Sequence, residues 1–123
     1  MAERVACGLV QYIALRGDLL RVEKWPIGAI VAQACHASAA VLHQFREDPN
    51  TQLYFKNLDN MRKVVVEAKD EAELVGIADA LQDDKMDFKL WTEQPENIAT
   101  CLATKPYEKS DIQKYFKKLK LFK

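Results

Sequence analysis

The residues best suited to chemistry fall in three places. Residues 28–45, GAIVAQACHASAAVLHQF, carry apolar side chains close to the i, i+3, i+4, i+7 ladder of an amphipathic helix. A second face holds Ala29, Gln33, His36 and His43. An amide and an imidazole on one helical face can position a polar ligand, although a helix histidine also reads as one bonded to a neighbouring carbonyl. The turn Glu93-Gln94-Pro95-Glu96-Asn97, with Thr100 after it, is the second place. Glu93 offers a carboxylate that could orient water, or one that salt-bridges or caps the turn. Asn97 could donate to a developing negative charge or serve turn geometry, and Thr100 could bond water or act as a good strand former. Third, Lys105, Lys109, Lys114, Lys117, Lys118, Lys120 and Lys123 face only Glu108 and Asp111 at the end of the chain. Such a surplus could touch phosphate, or be lysines favoured near a helix C-terminus.

These groups need elements to carry them. Residues 9–16, LVQYIALR, predict a strand buried on both faces. Residues 17–26 predict a loop, because Pro26 biases Trp25 toward extended geometry and itself fits the first turn of the next helix. Six alanines in the helix over residues 28–45 let it lie close to a sheet or admit a large ligand. Asp48-Pro49-Asn50 ends it, and residues 51–60 predict a short second helix. Residues 64–68 read as a strand. Asp70, with Glu73 three residues on, caps a helix with an apolar face of Leu74, Ile77, Ala78 and Leu81. Strands over residues 86–91 and 98–104 and a helix over residues 110–119 complete the chain. Alternating strands and helices imply one domain over residues 1–123, an α/β fold with three layers and four strands between helices. The five-residue link between the last two strands is too short for a parallel crossover between neighbours, so the sheet should be mixed.

Composition excludes little. Eighteen basic residues balance eighteen acidic ones, and 49% of residues are hydrophobic. Cys7, Cys35 and Cys101 share no motif spacing, and His36 and His43 stand without paired cysteines, so no zinc site or other cofactor is predicted. With no secretory leader and no apolar run of membrane-spanning length, a soluble, cytoplasmic chain is expected.

The run LRGDL, a loop, and then GAIVAQACHASAA resembles the signature of the archaeal and eukaryotic class of peptidyl-tRNA hydrolase. RKVVVEAKDEAEL is similar to that family's second strand and the start of the following helix, and TCLATKP to its last strand. WP-x-GA-x-VAQACHA, MRKVV and LW-x-EQPENIATC resemble still more closely its divergent eukaryotic subfamily of peptidyl-tRNA hydrolase domain-containing proteins. The blocks keep their order across nearly the whole chain.

The resemblance implies hydrolysis of the ester joining a peptide to the terminal ribose of tRNA, in a family whose members often pair as dimers. It makes Glu93 the counterpart of the family's active-site aspartate and Thr100 the counterpart of a threonine opening the last strand, both expected to be catalytic. Gln33 and His36 match the motif A-A-Q-x-x-H and, with Asn97, are expected to bind substrate. Ala29 stands where the family has a lysine held to be catalytic, and the loop after Glu93 is shortened. Lys24 or Arg21, on the loop before the helix, could replace the missing charge. Lys105, Lys109, Lys114, Lys117 and Lys118 are expected to contact the tRNA backbone. Two other readings stay open: a catalytically silent tRNA-binding module, and a protein adaptor on the same fold.

Overall fold

Leu9–Arg16 (β1) is buried at every residue, as a central strand with neighbours on both edges must be. It pairs in parallel with Lys63–Ala68 (β2) and antiparallel with Ile98–Thr104 (β4). Phe88–Glu93 (β3) lies antiparallel to β4, as the short connection between them requires. The computed structural model describes residues 8–123; the expected lead-in, with Cys7, lies outside them.

The sheet is mixed, as expected, but larger than four strands. Among the described residues it has six, in the order β3-β4-β1-β2-β6, where β6 is Lys120–Leu121, with β5 (Tyr107–Glu108) pairing to β1 off that path. The expected helix over residues 110–119 is not formed as one element, and β6 follows directly after that stretch. That segment starts as a single turn, Lys109–Ile112, and continues as a 3₁₀ turn, Gln113–Tyr115. Ile112 and Phe116 are buried, as the helical spacing implies, but Phe122 then donates its N–H to the Val65 carbonyl at 3.0 Å. The open edge of β2 thus captures the chain end, and tertiary pairing overrides local periodicity.

Among the described residues three α-helices precede β2. Asp18–Arg21 (α1) occupies part of the expected loop. The long helix, Ile27–Gln44 (α2), follows Pro26 and ends before Asp48, as expected. The next, Pro49–Tyr54 (α3), starts earlier and ends sooner than expected, because Asp48 accepts from the Asn50 N–H and Pro49 suits the first turn; a 3₁₀ turn follows at Leu58–Asn60. Glu71–Asp83 (α4) has the expected cap, with Asp70 accepting from the Glu73 N–H at 2.9 Å.

Strand alternation divides the core in two. Val10, Tyr12, Ala14, Val66 and Leu102 meet Leu74, Ala78 and Leu81 of α4, with Ile112 and Phe116. Ile13, Leu15, Cys101 and Ala103 meet Ile30, Ala37 and Val41 of α2. Each fully buried leucine, isoleucine or valine contributes roughly 2 kcal/mol of transfer free energy, so Leu74 and Leu81 anchor α4 and Ile30 and Val41 anchor α2. No helix among the described residues is long and apolar enough to cross a membrane.

Candidate active site

A β-bulge decides what reaches the open end of α2. Trp91 pairs with Cys101, but Thr92 pairs with Ala99, so β4 carries one extra residue, Thr100. A bulged residue leaves the strict alternation of a strand. Consequently Thr100 and Cys101 both face α2, whereas Ala99 joins the core on the other side. The Thr100 hydroxyl is buried and donates to Gln33 Oε1 at 2.7 Å.

Gln33 lies in the buried stripe of α2, between Ile30 and Ala37, rather than on a separate polar face. A buried amide needs partners for both ends. Its oxygen accepts from Thr100, and its NH₂ group faces the Glu93 carboxylate. Trp91, two residues before Glu93 and therefore on the same face of β3, donates its indole N–H to Glu93 Oε1 at 3.1 Å. His36, one turn after Gln33, stacks on Trp91 with ring centroids 4.7 Å apart and planes 17° from parallel. Thr100, Gln33, Glu93, Trp91 and His36 thus form one connected cluster.

The Trp91 indole and then the Gln33 amide hold the Glu93 carboxyl below its ordinary value, aided by His36 and the Gln94 backbone and opposed by desolvation. Glu93 is therefore ionised at neutral pH, with an acceptor oriented by donors on two elements. Cys101 is unsuited to nucleophilic chemistry: burial pushes its thiol up to about 12. Among the described residues, no group of three or more His, Cys, Asp or Glu side chains could hold a metal ion.

The structure places the expected site residues as follows. Thr100, expected to be catalytic, is fully buried, with its hydroxyl on the Gln33 amide oxygen. His36 stacks on Trp91 rather than bonding a backbone carbonyl. Asn97 has φ of 58°, donates its N–H to the Glu93 carbonyl at 2.7 Å and accepts from Gln94 Nε2 at 3.3 Å. It serves the turn, because asparagine tolerates the left-handed region. Lys24 is exposed on the loop between α1 and α2, with φ of 61°. Arg21 is committed elsewhere, forking onto Glu67 at 2.6 and 2.9 Å.

The lysines separate into two groups. Lys105 is buried, with its ammonium 2.6 Å from Asp48 and 3.0 Å from Asp87, which removes it as a phosphate contact. Lys109, Lys114, Lys117 and Lys118 are exposed around Ile112 and Phe116, on the α4 side of the sheet. Glu93 is on the α2 side, so the basic segment and the carboxylate occupy opposite faces. Trp91 escaped the sequence reading. Its signal was a tryptophan two residues before an acid on the same strand.

The sequence profile of peptidyl-tRNA hydrolase PTH2 matches residues 9–122. The chain belongs to this family. "Putative peptidyl-tRNA hydrolase PTRHD1" of Mus musculus is 50% identical over 130 residues, covering 100% of this chain and 93% of that one. The Homo sapiens protein of the same description is 53% identical over 116 residues, covering 94% and 83%. A peptidyl-tRNA hydrolase of Methanococcus vannielii is 32% identical over 117 residues, covering 90% and 97%. The solved structure of Atu0240, a protein of unknown function from Agrobacterium, aligns with a TM-score of 0.64 at 11% identity, over 94% of this chain and 98% of that one. At that identity the likeness concerns the fold alone.

Proposed function

We propose that the protein hydrolyses the ester between a peptide, or an N-blocked amino acid, and the terminal ribose of tRNA, with Glu93 as the general base. The supporting observation is the carboxylate itself. It is ionised, partly exposed, and held by Trp91 and by a Gln33 amide whose other end is fixed by Thr100. A base within reach of water and oriented by buried partners is what ester hydrolysis requires.

In this reading Glu93 takes a proton from water as the water attacks the ester carbonyl. The proton then passes to the departing ribose oxygen. Developing negative charge needs donors. Ala29 supplies none from its side chain, so that role falls to the first N–H groups of α2, with Lys24 on the preceding loop as the nearby cation. Gln33 and Thr100 are positioning residues, and His36 braces Trp91 beside the site. Lys109, Lys114, Lys117 and Lys118 contact the tRNA backbone away from the ester. The chain functions in the cytoplasm, with its sheet as the middle of three layers.

Ala29 in the family's lysine position favours one other reading, a tRNA-binding protein without turnover. Turnover of a defined N-blocked aminoacyl-tRNA separates the two. Wild type should release the acyl group and Glu93→Gln should lose roughly a hundredfold or more in kcat. Tight tRNA binding without release by well-folded wild type would establish the silent reading.

A further inference from the structure

The sequence LRGDL contributes no side chain to the cluster around Glu93, yet it controls the strand beneath it. β4 pairs with β1 at Ala103, Leu102 and Cys101, opposite Ile13, Ala14 and Leu15. At Ala99, side chains take up both peptide groups. The Ala99 N–H donates to Glu71 Oε2 at 2.8 Å, and its carbonyl accepts from Arg16 Nη1 at 2.9 Å. Arg16 is itself fixed: Nε and Nη2 fork onto the Asp18 carboxylate at 3.0 and 2.8 Å, and the residue is 8% exposed. Glu71 is the first residue of α4, on the opposite side of the sheet from Glu93.

The position of this clamp matters because Ala99 immediately precedes the bulged Thr100. The peptide bond is planar, so a guanidinium on the Ala99 oxygen also orients the plane that carries the Thr100 nitrogen. Bulged strands have freedom that a regular ladder lacks. Two charged side chains on either side of Ala99 remove it, because charge-assisted hydrogen bonds are short and directional.

We propose that Arg16 and Glu71 are positioning residues that lock the Ala99–Thr100 bulge, so that the Thr100 hydroxyl holds the Gln33 amide with its NH₂ group on Glu93. Asp18 is the brace that keeps Arg16 in place. The role assigned to Glu93 rests on the hydrolase reading, but the mechanical link from Glu71 to Glu93 does not.

The link can be read by carbon-detected NMR titration of Glu93 in the full chain, with Glu67 as an internal control. Wild type, Thr100→Val, Glu71→Ala and Glu71→Gln are compared. The Glu93 midpoint should rise toward the ordinary glutamate value in Thr100→Val and Glu71→Ala. It should stay near wild type in Glu71→Gln, whose amide oxygen still accepts from Ala99, and Glu67 should not move in any variant. A folded Glu71→Ala protein with an unchanged Glu93 midpoint overturns the proposal. Equal movement of Glu93 and Glu67 also overturns it, since that indicates general loosening. If Glu71→Ala does not fold, Asp18→Asn decides: a smaller upward shift of Glu93 alone supports the clamp, and none refutes it. In turnover, Glu71→Ala should lose roughly tenfold to a hundredfold in kcat with little change in KM. Absence of turnover in wild type would remove the hydrolase reading while leaving the titration to judge the clamp.

Discussion

Thr100→Val tests the most economical part of the site, a single hydroxyl. Valine has nearly the shape of threonine, so the substitution removes a donor without opening a cavity. The hydroxyl is buried and donates to Gln33 Oε1 at 2.7 Å, and Gln33 is 2% exposed. Water cannot readily replace the lost donor. Leaving a buried acceptor unpaired costs about 1–3 kcal/mol. For a domain of this size, that lowers Tm by roughly 4–12 °C. Gln33→Met should cost a similar amount, because it strands the hydroxyl and takes a donor from Glu93. The double variant, apolar at both positions, should cost clearly less than the two singles together, leaving a coupling of about 1–2 kcal/mol. Urea denaturation at constant m value measures all four corners of this cycle. Additivity to within roughly 0.5 kcal/mol would refute the reasoning, since Thr100 and Gln33 would then be independent.

Four further outcomes follow from the same geometry. Lys105→Met should destabilise by roughly 2 kcal/mol, less than a fully buried pair because Asp87 remains 39% exposed, and should leave the salt dependence of tRNA binding unchanged. Lys117→Ala with Lys118→Ala should do the reverse, reducing the slope of log affinity against log salt by about 1–2 with little change in Tm. Stability should hold as pH falls to about 5 and drop below it. Burial alone would raise the Asp48 carboxyl, but the Lys105 ammonium together with the Asn50 and Thr51 backbone N–H groups lowers it below 3.8; Arg21 lowers Glu67 below 4.5. Stability from these carboxylates is present above their unfolded values and lost as pH falls through the folded ones, so Asp48→Asn should flatten the acid limb in urea melts at stepped pH. Gly17→Ala should lower Tm by a few degrees, because a Cβ there would meet the Glu67 carboxylate that Arg21 holds in place.

The long helix, the strand before it, the Asp70 cap and the antiparallel last pair were legible because each has a local cause: periodicity, proline geometry, a capping side chain or a short link. The chain end was not. Ile112, Phe116 and Leu119 have helical spacing, and only the open edge of β2 explains why the chain extends there. Lys105 reads like its neighbours in sequence, and only the approach of Asp48 and Asp87 makes it structural. Thr100 shows the deeper difficulty. Strict alternation would turn it away from α2, and the extra residue that turns it back has no sequence mark of its own.

Ala29, where the resemblance places the family's lysine, has a consequence beyond a missing charge. The named donors that lower Glu93 are the Trp91 indole, the Gln33 amide and the Gln94 backbone, with His36 acting through its field. Neutral donors leave a carboxylate more basic than an adjacent ammonium would. In the proposed reaction a base tuned this way would take a proton from water more readily, while the oxyanion would lack a strong cation, so the two effects oppose each other. Restoring the lysine discriminates between them. Ala29→Lys should lower the Glu93 midpoint further, visible by NMR, and raise kcat if oxyanion stabilisation limits the rate. A fall in kcat with the same titration shift would place the limitation at the base. An unshifted midpoint would show that position 29 does not address Glu93 in this chain.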